Sequence, residues 1–104
     1  MCNLISTEYV LGSILFYRPQ GITVPDLNKF ERKLYAYDDD LVIDISRSAI
    51  VSVMDFYDEY FKLENESIIL KNYYLDNITR IKSRFVDVLD ERFRDAIQTA
   101  LLEE

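Results

Sequence analysis

The sequence predicts a small α/β domain: a βαβ-containing sheet covered by three helices. Residues 41–45, Leu-Val-Ile-Asp-Ile, form a short run dense in β-branched side chains, as in a strand buried in a parallel sheet. Two longer stretches, from Thr23 and from Asp76, repeat apolar residues every three or four positions, the period of an amphipathic helix. Residues 67–71 are a second apolar run, and the interval between the two runs is filled by one helix-like segment, which suits a right-handed βαβ crossover.

At 104 residues the chain has the size of one domain spanning 1–104, and folding of such a chain hides roughly 65% of the surface an extended chain exposes. Hydrophobic residues make up 49% and charged residues 30%, with two Gly and two Pro, which describes an ordered globule rather than a disordered tail. The longest apolar runs, 14–17 and 41–45, fall far short of the roughly 20 residues a membrane-spanning helix needs. No basic flank followed by an apolar stretch opens the chain. A cytoplasmic protein without membrane contact is expected.

The chain has no histidine, and Cys2 is its one cysteine. The commonest general base and the commonest transition-metal ligands are therefore missing, which argues against a zinc site and against Ser-His-Asp or Cys-His catalysis. An intramolecular disulfide is impossible. No glycine-rich phosphate loop or nucleotide fingerprint is present. Lysine, carboxylate and tyrosine remain as acids and bases, but no catalytic residue, cofactor or metal is expected, and the chain reads as a non-enzyme. Its net charge of −7 repels phosphate backbones, so nucleic acid is not an expected partner. The nearest basic cluster, Arg80, Lys82 and Arg84, points to more than one side of a helix.

Taken along the chain, residues 9–18 are open between two structures. Ser6-Thr7-Glu8 can start a helix in which Val10, Ile14 and Tyr17 share a face, whereas Gly12 favours a turn followed by a strand. Pro19 and Gly21 break the chain in either case. Thr23-Val24-Pro25-Asp26 reads as a helix start, and Leu27, Phe30, Leu34 and Tyr37 form its apolar stripe. Asp38-Asp39-Asp40 ends that helix in a solvated loop, since three carboxylates oppose the helix dipole and lack the spaced ligands of a calcium loop. After the strand at 41–45, Ser46-Arg47-Ser48 caps a second helix. Ile50, Val53, Met54, Tyr57, Tyr60 and Phe61 are on one side of it, with Asp55, Asp58, Glu59 and Lys62 on the other. Residues 63–66 are turn-like. From Asp76 or Asn77 a last helix meets no Gly or Pro before Glu104, with pairs Asp76–Arg80 and Asp90–Arg94 four residues apart. Unbroken, it would be about 42 Å long on a globule about 34 Å across. It must break or overhang, and an overhang predicts a homodimer through the C-terminal helix.

This order of elements, with Leu41-Val42-Ile43-Asp44-Ile45-Ser46 as the local match, resembles the STAS domain of anti-sigma-factor antagonists. That resemblance implies a regulatory domain with a phosphorylated or partner-contacting Ser or Thr at the start of the following helix. The family's Asp-Ser-Ser-Gly is absent there, and Ser52 of Ile50-Val51-Ser52-Val53 takes its place. A STAS-like sheet requires Val42 and Ile69 in adjacent parallel rows, and an antiparallel pairing of Lys62 with Ile69 would contradict it. Alternatively, residues 45–51 resemble the start of a winged-helix recognition helix, with residues 61–70 as two wing strands turning at Asn65-Glu66. Asp55, Asp58 and Glu59 suit that helix poorly to phosphate.

The expected function is that of a small regulatory or adaptor domain binding another protein. The alternative is a winged-helix transcriptional or assembly protein that dimerises through its C-terminal helix. Arg47, Asp55, Asp58 and Glu59 are the candidate partner-binding residues, and a basic partner is expected from their net charge. Ser52 and Ser48 are the candidate phosphoacceptors, since a helix N-terminus favours added phosphate. Asp44 is expected to face an edge of the sheet or to be satisfied by Ser46 or Arg47. The eight tyrosines are expected mainly in the core with wet hydroxyls.

Overall fold

The computed structural model describes residues 3–102, which form six α-helices and two small sheets. Cys2 lies outside the described residues, as does the expected helix end at Glu104. In chain order the elements are β1 (Asn3–Ile5), α1 (Thr7–Tyr17), β2 (Ile22–Thr23), α2 (Val24–Tyr37), β3 (Leu41–Ile43), α3 (Arg47–Phe56), β4 (Phe61–Glu64), β5 (Ser67–Leu70), α4 (Asn72–Asp76), α5 (Ile78–Ile81), a π-helical turn (Lys82–Val86) and α6 (Glu91–Leu102).

Helix α1 is the centre of the molecule. The Ser6 carbonyl accepts from the Tyr9 and Val10 amides at 3.0 and 3.2 Å, and residues 10–15 are all buried beneath α3, α5, the π-helical turn and α6. A helix that is apolar all round shows no polar stripe, which is why its period is hard to see in the sequence. The strand favoured there on the strength of Gly12 is therefore corrected to a helix. Gly12 has a packing role: a Cβ at this position would lie 2.3 Å from Phe85 Cγ, so only glycine lets the Phe85 ring rest on the α1 backbone.

Helix α2 forms as its sequence predicts. Thr23 Oγ1 accepts from the Asp26 amide at 3.2 Å and Pro25 sits in the first turn, where no backbone donor is needed. Leu27, Phe30 and Leu34 are buried, while Tyr37 is exposed at the end of the stripe. The Asp38 amide closes the helix on the Leu34 carbonyl at 2.8 Å.

The sheets differ from the expected βαβ unit. Strand β3 does run parallel to a neighbour, but that neighbour is β1, with Leu4 opposite Val42 and Ile5 opposite Ile43. Leu41, Ile43 and Ile45 are buried while Val42 and Asp44 face out, so the run is apolar on one face, not two. Strand β5 lies in a separate sheet ordered β2-β5-β4, antiparallel throughout. Lys62 pairs with Ile69 in an antiparallel hairpin, so the rows of Val42 and Ile69 are not neighbours and no crossover joins them. Helix α3 ends at Phe56, earlier than its stripe predicts. Tyr57 turns the chain by accepting from the Tyr60 and Phe61 amides, so Phe61 enters the core from a strand. The hairpin turns at Asn65 and Glu66, with φ of 52° and 64°. Two successive positive φ values match the twist of the flanking strands.

The last helix is broken rather than overhanging. It divides into α5, the π-helical turn and α6, with the short α4 before it, and the described chain measures 35 × 27 × 26 Å with a radius of gyration of 12.6 Å. The pairs Asp76–Arg80 and Asp90–Arg94, expected of one continuous helix, are not formed. Helix α6 buries Ala96, Ile97, Ala100 and Leu101 against α1 and α2 of its own chain. The overhang that suggested a homodimer is thus absent. No described helix is long and apolar enough to cross a membrane.

Candidate interaction surface

Two elements, α3 and the β4–β5 hairpin, carry most of the residues singled out in the sequence. Asp44 Oδ1 accepts from the Ser46 amide at 3.0 Å, and the Ser46 amide and hydroxyl together hold its carboxyl below the ordinary 3.8, as expected of a satisfied carboxylate. Ser46 Oγ in turn accepts from the Ala49 amide at 3.3 Å and so caps α3, with Ser48 Oγ 3.3 Å away. Ile50 and Val53 anchor the helix in the core. Its outer face presents Arg47, Ser48, Val51, Ser52, Asp55 and Phe56, with Val51 50% and Phe56 81% exposed.

The cations on this surface are already engaged. Arg47 Nη1 donates to Glu66 Oε2 at 2.8 Å, joining the start of α3 to the hairpin turn, and this pairing raises the guanidinium's pKa and lowers the carboxyl's. Lys62 Nζ lies 3.2 Å from Glu64 Oε2. Residues 47–67 hold five carboxylates and two cations, so with both cations paired the surface is acidic. Asp58 and Glu59 project from the turn after α3 rather than from the helix itself. Of the predicted residues, the fold brings Ser52 and Glu59 to one cleft and sends Arg47 to the hairpin.

That cleft, of about 640 Å³, opens between α1, α3 and the π-helical turn. Thr7, Glu8, Ser52 and Glu59 supply polar walls, and Ala49, Val53 and Phe56 supply an apolar one. Tyr57, Tyr60 and Arg84 complete it. Burial works against the charge of Arg84, but the hydroxyls of Tyr9, Tyr60 and Tyr57 outweigh it and the guanidinium pKa is raised. Its carbon lies 5.6 Å from the Tyr57 ring centroid and 5.1 Å from that of Phe85, within the range of cation–π attraction. Behind it, Phe85 is edge-on to Tyr57 and Tyr60 at centroid distances of 5.9 and 5.2 Å. Tyr60 continues the cluster to Tyr74 at 4.6 Å. Burial, then the neighbouring Tyr60 and Glu59, push the Tyr74 phenol up.

The basic cluster of 80–84 disperses. Arg80 lies over the Tyr73 ring, Lys82 Nζ pairs with Asp87 at 2.7 Å, and Arg84 enters the cleft. The three carboxylates of 38–40 converge to within 4.8 Å, but Arg92 binds Asp38 through two hydrogen bonds of 2.8 Å and reaches Asp40 at 3.5 Å. They are therefore partly paired rather than wholly solvated. Sequence reasoning missed Phe56, Glu8 and the role of Arg84. Phe56 was legible as an aromatic residue on the polar side of a helix, beside Ser52 and Asp55. Arg84 left no such signal, because its surroundings come from three distant segments. No protein-family model matches this chain, and no curated protein or solved structure matches it.

Proposed function

We propose that the chain is a non-enzymatic regulatory or adaptor domain of winged-helix type that binds protein, not nucleic acid, through α3 and its hairpin. The order α1, β2, α2, β3, α3, β4, β5, with sheet order β2-β5-β4, supports the winged-helix reading, with α3 in the recognition position, β4–β5 as the wing, and β3, paired with β1, inserted between the two helices of the motif. The antiparallel pairing of β4 with β5 favours it over the STAS-like reading. A phosphate-binding version of this surface needs free cations. Here Arg47 and Lys62 are paired with Glu66 and Glu64 of the wing itself, and that observation carries the proposal.

What remains outward is a pair of apolar side chains, Val51 and Phe56, beside Asp55. Exposed aromatics anchor protein interfaces, and surrounding charge selects and steers the partner. The partner is therefore a basic protein with an apolar contact, met in the cytoplasm, and Ser48 and Ser52 are positioned where added phosphate would alter the encounter.

The test is affinity capture with the unaltered chain, with Phe56→Ala and with Asp55→Lys/Asp58→Lys, alongside a DNA shift assay at low salt. Partners retained by the unaltered chain and lost from both variants support this surface. Partners unaffected by either variant, or DNA binding that weakens steeply with salt, overturn it.

A further inference from the structure

We infer that the cleft between α1, α3 and the π-helical turn binds a zwitterionic ligand with an apolar side group: a free amino acid, or a short peptide with both ends free. The chain has 19 carboxylates to 12 cations, yet no described carboxylate pairs with Arg84, although this guanidinium is partly buried. Its Cζ lies over the Tyr57 and Phe85 rings, and of its five N–H donors those not taken by the hydroxyls of Tyr9, Tyr57 and Tyr60 can bind a carboxylate by two parallel hydrogen bonds. In the lining of the same cleft, Glu8 and Glu59 form no ion pair with a described residue and can accept from an ammonium group.

The two signs together define the ligand. A simple anion would meet Glu8 and Glu59, a simple cation would meet Arg84, and a zwitterion satisfies both. Val53 and Phe56 offer its side group an apolar wall, and Ser52, which makes no hydrogen bond through its side chain, adds a hydroxyl. The volume of about 640 Å³ falls within the range of small-ligand sites. The π-helical turn makes the placement possible. Its extra residue, closed by the Asp87 amide on the Lys82 carbonyl at 2.9 Å, buries Phe85 and Val86 consecutively and leaves Arg84 in the cleft. Such turns concentrate at functional sites.

Amide chemical shifts of the nitrogen-labelled chain, followed during titration, test the site directly. L-phenylalanine should give saturable shifts at Thr7, Ser52 and Arg84, while L-phenylalaninamide and N-acetyl-L-phenylalanine should bind at least about tenfold more weakly, the loss typical of one charge-assisted hydrogen bond. In Arg84→Met, phenylalanine and its amide should become equivalent; in Glu59→Gln, the discrimination against the acetylated form should shrink. Should Arg84→Met fail to fold, Arg84→Lys keeps the charge, loses the planar fork and should weaken phenylalanine selectively. Phe-Gly and Gly-Phe distinguish the sources: tighter binding than phenylalanine points to a peptide, weaker to a free amino acid. Absence of localised shifts at about 10 mM of phenylalanine and of both dipeptides, or equal binding of acid and amide to the unaltered chain, overturns the inference. Because the readout is direct, that failure leaves the protein-capture result standing.

Discussion

Tyr35 shows how one hydroxyl can end a sheet. Its Oη donates to the Ile43 carbonyl and accepts from the Ile43 amide, both at 3.1 Å, supplying β3 with the pairing a further strand would otherwise give. In Tyr35→Phe both groups lose that partner at a part-buried position, and a cost of about 1–3 kcal/mol follows. Urea unfolding should show it, with the exposed Tyr37→Phe as a silent control. At the same scale, the Asp38 carboxyl is held below its ordinary 3.8 chiefly by its hydrogen bonds to Arg92. Asp44 and Glu66 are lowered as well, by Ser46 and by Arg47. A carboxyl depressed in the folded state contributes stability above its unfolded pKa and loses it as pH falls through the folded one. Thermal unfolding should therefore show stability level from neutral pH to about 5 and falling below about 4, and Arg92→Met should flatten part of that fall. Neither the Tyr35 bond nor the Asp38–Arg92 pair was legible beforehand, because each joins segments whose meeting depends on the fold.

Among the elements, legibility follows how much of the defining physics is local. Helix α2 was readable because its cap, first-turn proline and apolar stripe are all contiguous. The turn at Asn65-Glu66 was readable as a hairpin only under the winged-helix alternative, since the preferred reading carried the apolar stripe of α3 on to Phe61. Helix α1 was not, because the cost of Gly12 is offset by a residue far along the chain. Gly12→Ala tests this directly. The substitution favours the helix by about 1 kcal/mol, but the new Cβ would lie within 2.7 Å of three Phe85 side-chain atoms, and overpacking of this kind costs about 1–3 kcal/mol. A net destabilisation is expected in chemical denaturation. Phe85→Leu alone is also destabilising, and the double variant should lose less than the two single losses added together, since the smaller side chain makes room for the methyl group. Strictly additive losses would show that Gly12 and Phe85 do not constrain each other.

For the whole molecule, the break-up of the C-terminal helix decides the shape. A continuous helix would have projected beyond the globule. Instead α6 returns along α1 and α2, and Ile97 is fully buried in the same core as Leu11, Leu27 and Phe61. If α6 serves its own chain, Ile97→Ala should cost about 2–5 kcal/mol, as for other large-to-small core changes. The unfolding midpoint of both proteins should stay constant over a hundredfold dilution. A midpoint that falls on dilution would restore the dimer through this helix.

By itself the sequence determined the acidic balance, the lack of histidine chemistry, the caps at Thr23 and Ser46, and the apolar stripes of α2 and α6. Each of these rests on composition or on residues within a few positions of one another. The tertiary structure alone decided that β3 pairs with β1, which of the open readings holds for residues 9–18 and 61–70, and that Arg84 lines one cleft with Glu8 and Glu59. An apolar run records that a strand will be buried but not which strand it will pair with. Partner choice is made by the joint packing of distant segments, here around the Phe85 ring and the glycine that admits it.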